Sequence, residues 1–254
     1  MNNLLLIDGH SILNRAFYGI PMLTNHEGIH TNAIYGFINI MLRAMEDEKS
    51  DHIAVAFDLK APTFRHKMYE MYKGTRKPMP AELHEQVPVI KEILASMNIP
   101  VITLEGYEAD DILGTVGKKA QSLGYNVVIL SGDRDLLQLA DEHIKIRLPK
   151  TIKGRTEIEN YYPEDVMEKY MATPSEFIDL KALMGDSSDN IPGVPGIGEK
   201  TAMSIISKYH SIENAYEHVE ELTPAKAKNS LRENYDLAKP VSYTHLTLPT
   251  NSRV

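Results

Sequence analysis

Apolar runs that stop on an acid constrain this chain more than any other feature. LLLID ends on Asp8, IAVAFD on Asp58, and VVILSGDRD on Asp133 and Asp135. Glu108, Asp110 and Asp111 follow the run VITLEG, and GDSSDN adds Asp186 and Asp189. Short β-branched runs of this length predict strands, and the stretches between them carry helical periodicity. Strands alternating with helices predict an α/β domain with a mainly parallel central sheet. In such sheets the ligand crevice lies beyond the carboxyl ends of the strands, where Asp8, Asp58 and Asp133 fall.

Two unit charges at contact repel by roughly 1 kcal/mol in water and several-fold more near a protein surface. Acids gathered at one edge therefore need a counter-charge. Hard divalent ions supply it, because magnesium and manganese take oxygen ligands and bridge carboxylates to substrate phosphates. Taken singly, the motifs have structural readings: acids in a first turn complement the helix dipole, and Asp135 alone reads as an N-cap. Glu108 and Asp111, like Asp186 and Asp189, stand at i, i+3 and can point together. Their common edge predicts a metal-dependent phosphoryl-transfer site.

At 254 residues and 43% apolar composition the chain can bury a substantial core. No apolar run approaches the roughly 18 residues of a membrane span, and LLLI lacks a basic leader, so a cytoplasmic protein is expected. The absence of cysteine excludes disulfides, thiolate metal sites and cysteine nucleophiles. His10, His30 and His66 lack zinc-site spacing, and no GxSxG elbow is present. A dehalogenase-like phosphatase would need an acid where His10 stands.

A net charge of −8 argues against a nucleic-acid partner only if the bases are evenly spread. They gather in FRHKMYEMYKGTRK and again between Lys145 and Arg155. The second run reads as a solvated face. The first interleaves tyrosines and is broken by Gly74, Pro78 and Pro80. Single-strand binding uses that combination, with cations along the backbone and rings against bases. Because this segment leaves the strand carrying Asp58, Lys73 and Arg76 would stand over the acids and neutralise charge on a cleaved phosphate.

Residues 1–170 are expected to form the α/β domain, with an arch at about 62–85. From about Tyr162 short helices replace strands, and residues 171–239 are expected to be an all-helical subdomain. Within it, NIPGVPGIGEKTA holds a glycine hairpin at 192–198. Glu199 separates Gly198 from Lys200, which breaks the GxxxxGK[ST] pattern and excludes a nucleotide-binding P-loop. A hairpin opening a helix still offers N–H groups to a duplex phosphate, and Lys200 adds charge. A plain glycine turn is the other reading. The tail 240–254, PVSYTHLTLPTNSRV, has no helical periodicity and is expected to be disordered or non-native.

Together, LLLIDGHSILNRAFY, VAFDLKAPTFRH, YKGTR, EGYEADDILGT, VILSGDRDLLQL and LMGDSSDNIPGVPGIGEKTA resemble the 5′-nuclease domains that open bacterial DNA polymerases I, a branch of the flap endonuclease family. The likeness runs from about Leu4 to Lys239. It implies a PIN-like nuclease fold with a helix-three-turn-helix subdomain. The implied activity is magnesium-dependent 5′-3′ exonuclease and flap endonuclease cleavage in replication and repair, through two metal ions, with manganese as an alternative. Asp8, Asp58, Glu108, Asp110 and Asp111 resemble the ligands of a first metal set, and Asp133, Asp135, Asp186 and Asp189 those of a second. Asp8, Asp111, Asp133, Lys73 and Arg76 are the implied catalytic group. Arg15, Arg65, Lys73 and Arg76 are the implied contacts to the cleaved strand. Gly193, Gly196, Gly198 and Lys200 are implied to hold duplex, with a potassium ion at the hairpin. Implied partners are nicked or branched DNA with a 5′ flap and RNA primer–DNA hybrids. The protein is expected to be a nucleoid-associated monomer, and a gene that continues into a polymerase and one that stands alone are both compatible with the resemblance. A PIN-type ribonuclease, which would not need the hairpin, and a non-catalytic DNA-junction binding module are the rival readings.

Overall fold

The computed structural model describes residues 2–152 and 155–244. β1 (Asn3–Asp8) runs into α1 (Gly9–Gly19), and α2 (Asn32–Glu48) leads to β2 (His52–Ala56). The arch follows with α3 (Phe64–Met68) and α4 (Ala81–His84), then α5 (Gln86–Ser96), β3 (Val101–Ile102), α6 (Ala109–Ser122) and β4 (Asn126–Leu130). A 3-10 turn over Arg134–Leu139 precedes β5 (Ile144–Ile152), β6 (Arg155–Tyr161) and α7 (Pro163–Tyr170). The remainder comprises α8 (Phe177–Met184), β7 (Gly185–Asp186), β8 (Ile191–Pro192), α9 (Glu199–Tyr209), α10 (Ile212–Glu217) and α11 (Ala225–Thr244).

Among the described residues, six strands form one sheet in the order β3-β2-β1-β4-β5-β6. All neighbours are parallel except β5 and β6. The strands alternate as period-two side chains require. Leu5, Ile7, Val55, Phe57, Val128 and Leu130 face a core shared with Ile12, Phe37, Met41, Ile90 and Leu94. Leu6, Ala54, Ala56, Val127 and Ile129 face the opposite core, which contains Ile112 and Leu113 and continues into the helical subdomain. After β1 the chain builds outward through β2 and β3, then returns to the other side of β1 with β4. That reversal places a crevice at the carboxyl end of β1. Asp8 pairs in register with Ala56, and Ile7 with Leu130. Asp58 and Asp133, a few residues past those partners, therefore arrive beside Asp8.

One expectation is corrected. A strand pair, β5 and β6, occupies the stretch expected to be a solvated basic run. Lys145 Nζ lies 2.6 Å from Glu48, and Arg147 lies 2.7 Å from Glu48 and 2.9 Å from Asp47, so these bases tie the hairpin to α2. The subdomain is helical, as expected, with one two-residue antiparallel pair, β7 and β8, inside it. α11 runs through Thr244, and most of the stretch expected to be a tail, residues 245–254, lies outside the described residues. No helix among the described residues is long and apolar enough to cross a membrane.

Candidate metal centre

Each acid is set at the cleft by the way its element begins or ends. Asp8 closes β1 and caps α1: one oxygen accepts from the Ser11 N–H at 3.0 Å and the other from Ser131 Oγ at 2.7 Å. Ser131 Oγ in turn accepts from the Asp133 N–H at 3.0 Å, so one hydroxyl joins the ends of β1 and β4. Asp58 Oδ1 accepts from the Ala109 N–H at 2.7 Å, which binds the end of β2 to the start of α6. Asp133 caps the 3-10 turn through the Asp135 N–H at 2.9 Å. Asp186 Oδ1 accepts from the Ser188 N–H at 2.7 Å and from Ser188 Oγ at 2.6 Å.

These residues line a cleft of about 780 Å³ that also includes Glu108, Asp110, Asp135, Lys73, Arg76 and Lys181. Oxygens of Asp135, Asp186 and Asp189 lie within 4.8 Å of one another.

The chain's own cations only partly compensate this charge. Burial, then the neighbouring charges of Asp133, Asp8 and Asp58, push the Asp110 carboxyl well above the usual range. Burial and the nearby Asp135 push Asp133 up to about 7. Burial also raises Asp8, against the bonds from Ser11 and Ser131. Two acids run the other way: burial pushes Asp58 and Asp186 up, but contacts with His10 and the Ala109 N–H outweigh that at Asp58, and those with Lys181 and Ser188 outweigh it at Asp186. Asp110 Oδ1 is buried with no hydrogen-bond partner. A partnerless oxygen among carboxylates held partly protonated is a donor set suited to hard divalent cations.

The arch segment docks on the same acids. Lys73 Nζ donates to Glu108 at 2.7 Å, and Arg76 donates to Asp189 at 2.5 Å and to the Ser188 carbonyl at 3.1 Å. Between them the Tyr72 hydroxyl lies 2.9 Å from Glu108 Oε2 and 3.0 Å from Asp189 Oδ2.

Arg65 and Asp111, both expected at the site, do not line the cleft. Arg65 is 2% exposed. Its guanidinium grips Asp111 with two bonds of 2.7 Å and Glu108 with one of 3.2 Å. Asp111, expected as ligand and catalytic acid, spends both oxygens on that grip and on the Glu108 N–H, and does not line the cleft. Arg15 sits on α1 outside the cleft lining, where burial lowers its pKa. Gly193, Gly196, Gly198 and Lys200 lie in the loop before α9 and in its first turn, and none of them lines the cleft. Lys181 and Ser131 were not legible as site residues. Lys181 lies outside the motifs and Ser131 is the non-acidic residue that opens SGDRD, so only the approach of α8 and the bond from the end of β4 to β1 bring them in.

Residues 3–171 match the family model described as 5′-3′ exonuclease, N-terminal resolvase-like domain. Residues 172–252 match that of the 5′-3′ exonuclease, C-terminal SAM fold. The chain belongs to the 5′-3′ exonuclease family. DNA polymerase I of Bacillus subtilis is 49% identical over 235 residues, covering 92% of this chain and 26% of that protein. DNA polymerase I of Bacillus caldotenax is 48% identical over 235 residues, covering 92% and 27%. The chain thus spans about a quarter of the length of these relatives. Among solved structures, zinc-bound T5 5′-exonuclease superposes with a TM-score of 0.77 at 24% identity, covering 98% of this chain and 90% of that one. The catalytic core of Rad2 in complex with DNA substrate superposes at 0.58 with 16% identity, covering 100% and 83%. These likenesses show the 5′-3′ exonuclease fold, with its PIN-like sheet and helical C-terminal part.

Proposed function

We propose that this 5′-3′ exonuclease module hydrolyses phosphodiesters in a structure-specific way, at 5′ flaps, nicks and RNA primers, with magnesium as its ion. The observation that carries the reading is the under-compensated acid cleft, with Asp110 Oδ1 partnerless and Asp133 raised to about 7. Asp8, Asp58, Glu108, Asp110 and Asp133 would hold one ion, and Asp135, Asp186 and Asp189 a second. Bound ions would supply charge neutralisation, activation of the attacking water and stabilisation of the leaving oxygen.

The chain's own side chains do the rest. The Ser131 bridge and the Ala109 N–H fix the carboxylates in one orientation, so no reorganisation is needed when a phosphate arrives. Lys73 and Arg76 stand at the rim, paired to acids, and can turn to phosphate oxygens once those acids are otherwise neutralised. Lys200 and the hairpin N–H groups would grip duplex, with potassium as the ion proposed there. A monomeric, nucleoid-associated protein belongs to the same proposal.

The test is cleavage of a 5′-flap oligonucleotide by the variant Asp133→Asn with Asp135→Asn. Cleavage is expected to vanish, as it should on chelation with EDTA, while flap binding persists. Full activity in the double variant would remove the site. Preference for RNA hairpins over DNA flaps would replace this reading with that of a PIN-type ribonuclease.

A further inference from the structure

The two acid sets differ in how far the chain itself neutralises them. In the upstream set Asp110 keeps a partnerless buried oxygen. In the group Asp135, Asp186 and Asp189 every acid already has a cation. Lys181 Nζ lies 3.0 Å from Asp135 and 2.6 Å from Asp186, and Arg76 holds Asp189 at 2.5 Å. The Lys181 side chain is 15% exposed, so water screens these pairs weakly. Its backbone helps as well, because the Lys181 carbonyl accepts the Gly185 N–H that closes α8 next to Asp186.

Resting on the metal reading above, we infer that Lys181 is a counter-ion built into the downstream acid set, which gathers Asp135 and Asp186 and competes with a divalent ion for their oxygens. Three carboxylates within 4.8 Å would spread apart without a positive charge between them. The ammonium supplies that charge and keeps the oxygens close enough for ligation. An arriving ion must take oxygens that Lys181 now occupies, whereas upstream it meets an oxygen with no donor. The two sets therefore load unequally, with the downstream ion the weaker.

Calorimetric titration of the metal-free protein with Mn2+, in the absence of DNA, tests this. Lys181→Met should tighten the weaker step at least about tenfold and leave the tighter step in place. Lys181→Arg, which keeps the charge, should leave the weak step weak. A downstream affinity unchanged or lowered in Lys181→Met overturns the inference while the metal reading stands. Wild-type protein that binds no Mn2+ would sink both. Should the methionine variant fail to fold, a Mg2+ titration of wild-type protein labelled at lysine nitrogen decides: the Lys181 ammonium resonance must move with the weaker step, and movement with the tighter step, or none, overturns it.

Discussion

Arg65 is a guanidinium taken out of water whose charge is matched by Asp111 and Glu108. Removing one partner of such a network leaves the others buried and uncompensated. Arg65→Met is expected to lower stability by about 3–5 kcal/mol in urea unfolding. Arg65→Lys should recover only part of it, because an ammonium cannot make the two-pronged bond. A loss under 1 kcal/mol would mean the network contributes little. Asp179, in α8, titrates the other way from most surface acids. Burial, then Glu213 and Glu176, push its carboxyl from the ordinary 3.8 to about 6. Its proton is thus held more tightly in the folded chain. The stability this proton contributes is complete below about pH 4 and lost as pH climbs through about 6. Asp179→Asn should raise the unfolding temperature at pH 7 and leave it unchanged at pH 4; an equal shift at both would rule out charge as the cause. Most of the acids were legible because each follows an apolar run that had to be a strand or opens a helix. The inward turn of Asp111 was not, since sequence alone does not tell which basic residue of an arch folds under a helix.

At the scale of elements, β7 and β8 approach more closely than any side chain permits. Gly185 adopts φ +74, and a Cβ there would stand 2.2 Å from the Gly193 nitrogen. A Cβ on Gly193 would stand 2.2 Å from the Met184 carbonyl carbon. Gly193 therefore serves backbone packing at the turn that presents Asp186 and Asp189. Gly193→Ala should cost about 1–3 kcal/mol by forcing that turn open, whereas Gly198, with open space around its Cβ position, should accept alanine with little change. Thermal unfolding of the two variants separates them, and equal effects would refute the packing role. The sequence pattern exposed Gly193 and Gly198 as parts of a hairpin but not the close approach of Gly193 to Gly185, because contact between two backbones leaves no periodicity. The β5–β6 pair escaped for a related reason: its bases neutralise Asp47 and Glu48 on α2, a match visible only once the strands are placed.

At the scale of the whole molecule, a chain of net charge −8 must bind an anionic polymer through local patches. Seven of its 35 acids line one cleft, and the arch cations there are paired: Lys73 to Glu108 and Arg76 to Asp189. Lys200, exposed in the first turn of α9, stands outside that cleft. Its contribution should therefore be separable from chemistry. Each phosphate neutralised by a base adds about 0.9 to the slope of log affinity against log salt. Lys200→Glu should weaken binding of duplex DNA at every sequence and lower that slope by about 1. With protein in excess over a flap substrate and saturating, the single-turnover cleavage rate should stay at the wild-type value, because the acid cleft is untouched. A slope identical to wild type would detach the hairpin from duplex binding. A fall in the saturated rate would instead mean that the grip at α9 helps align the phosphate in the cleft, joining the two parts of the molecule in one catalytic unit.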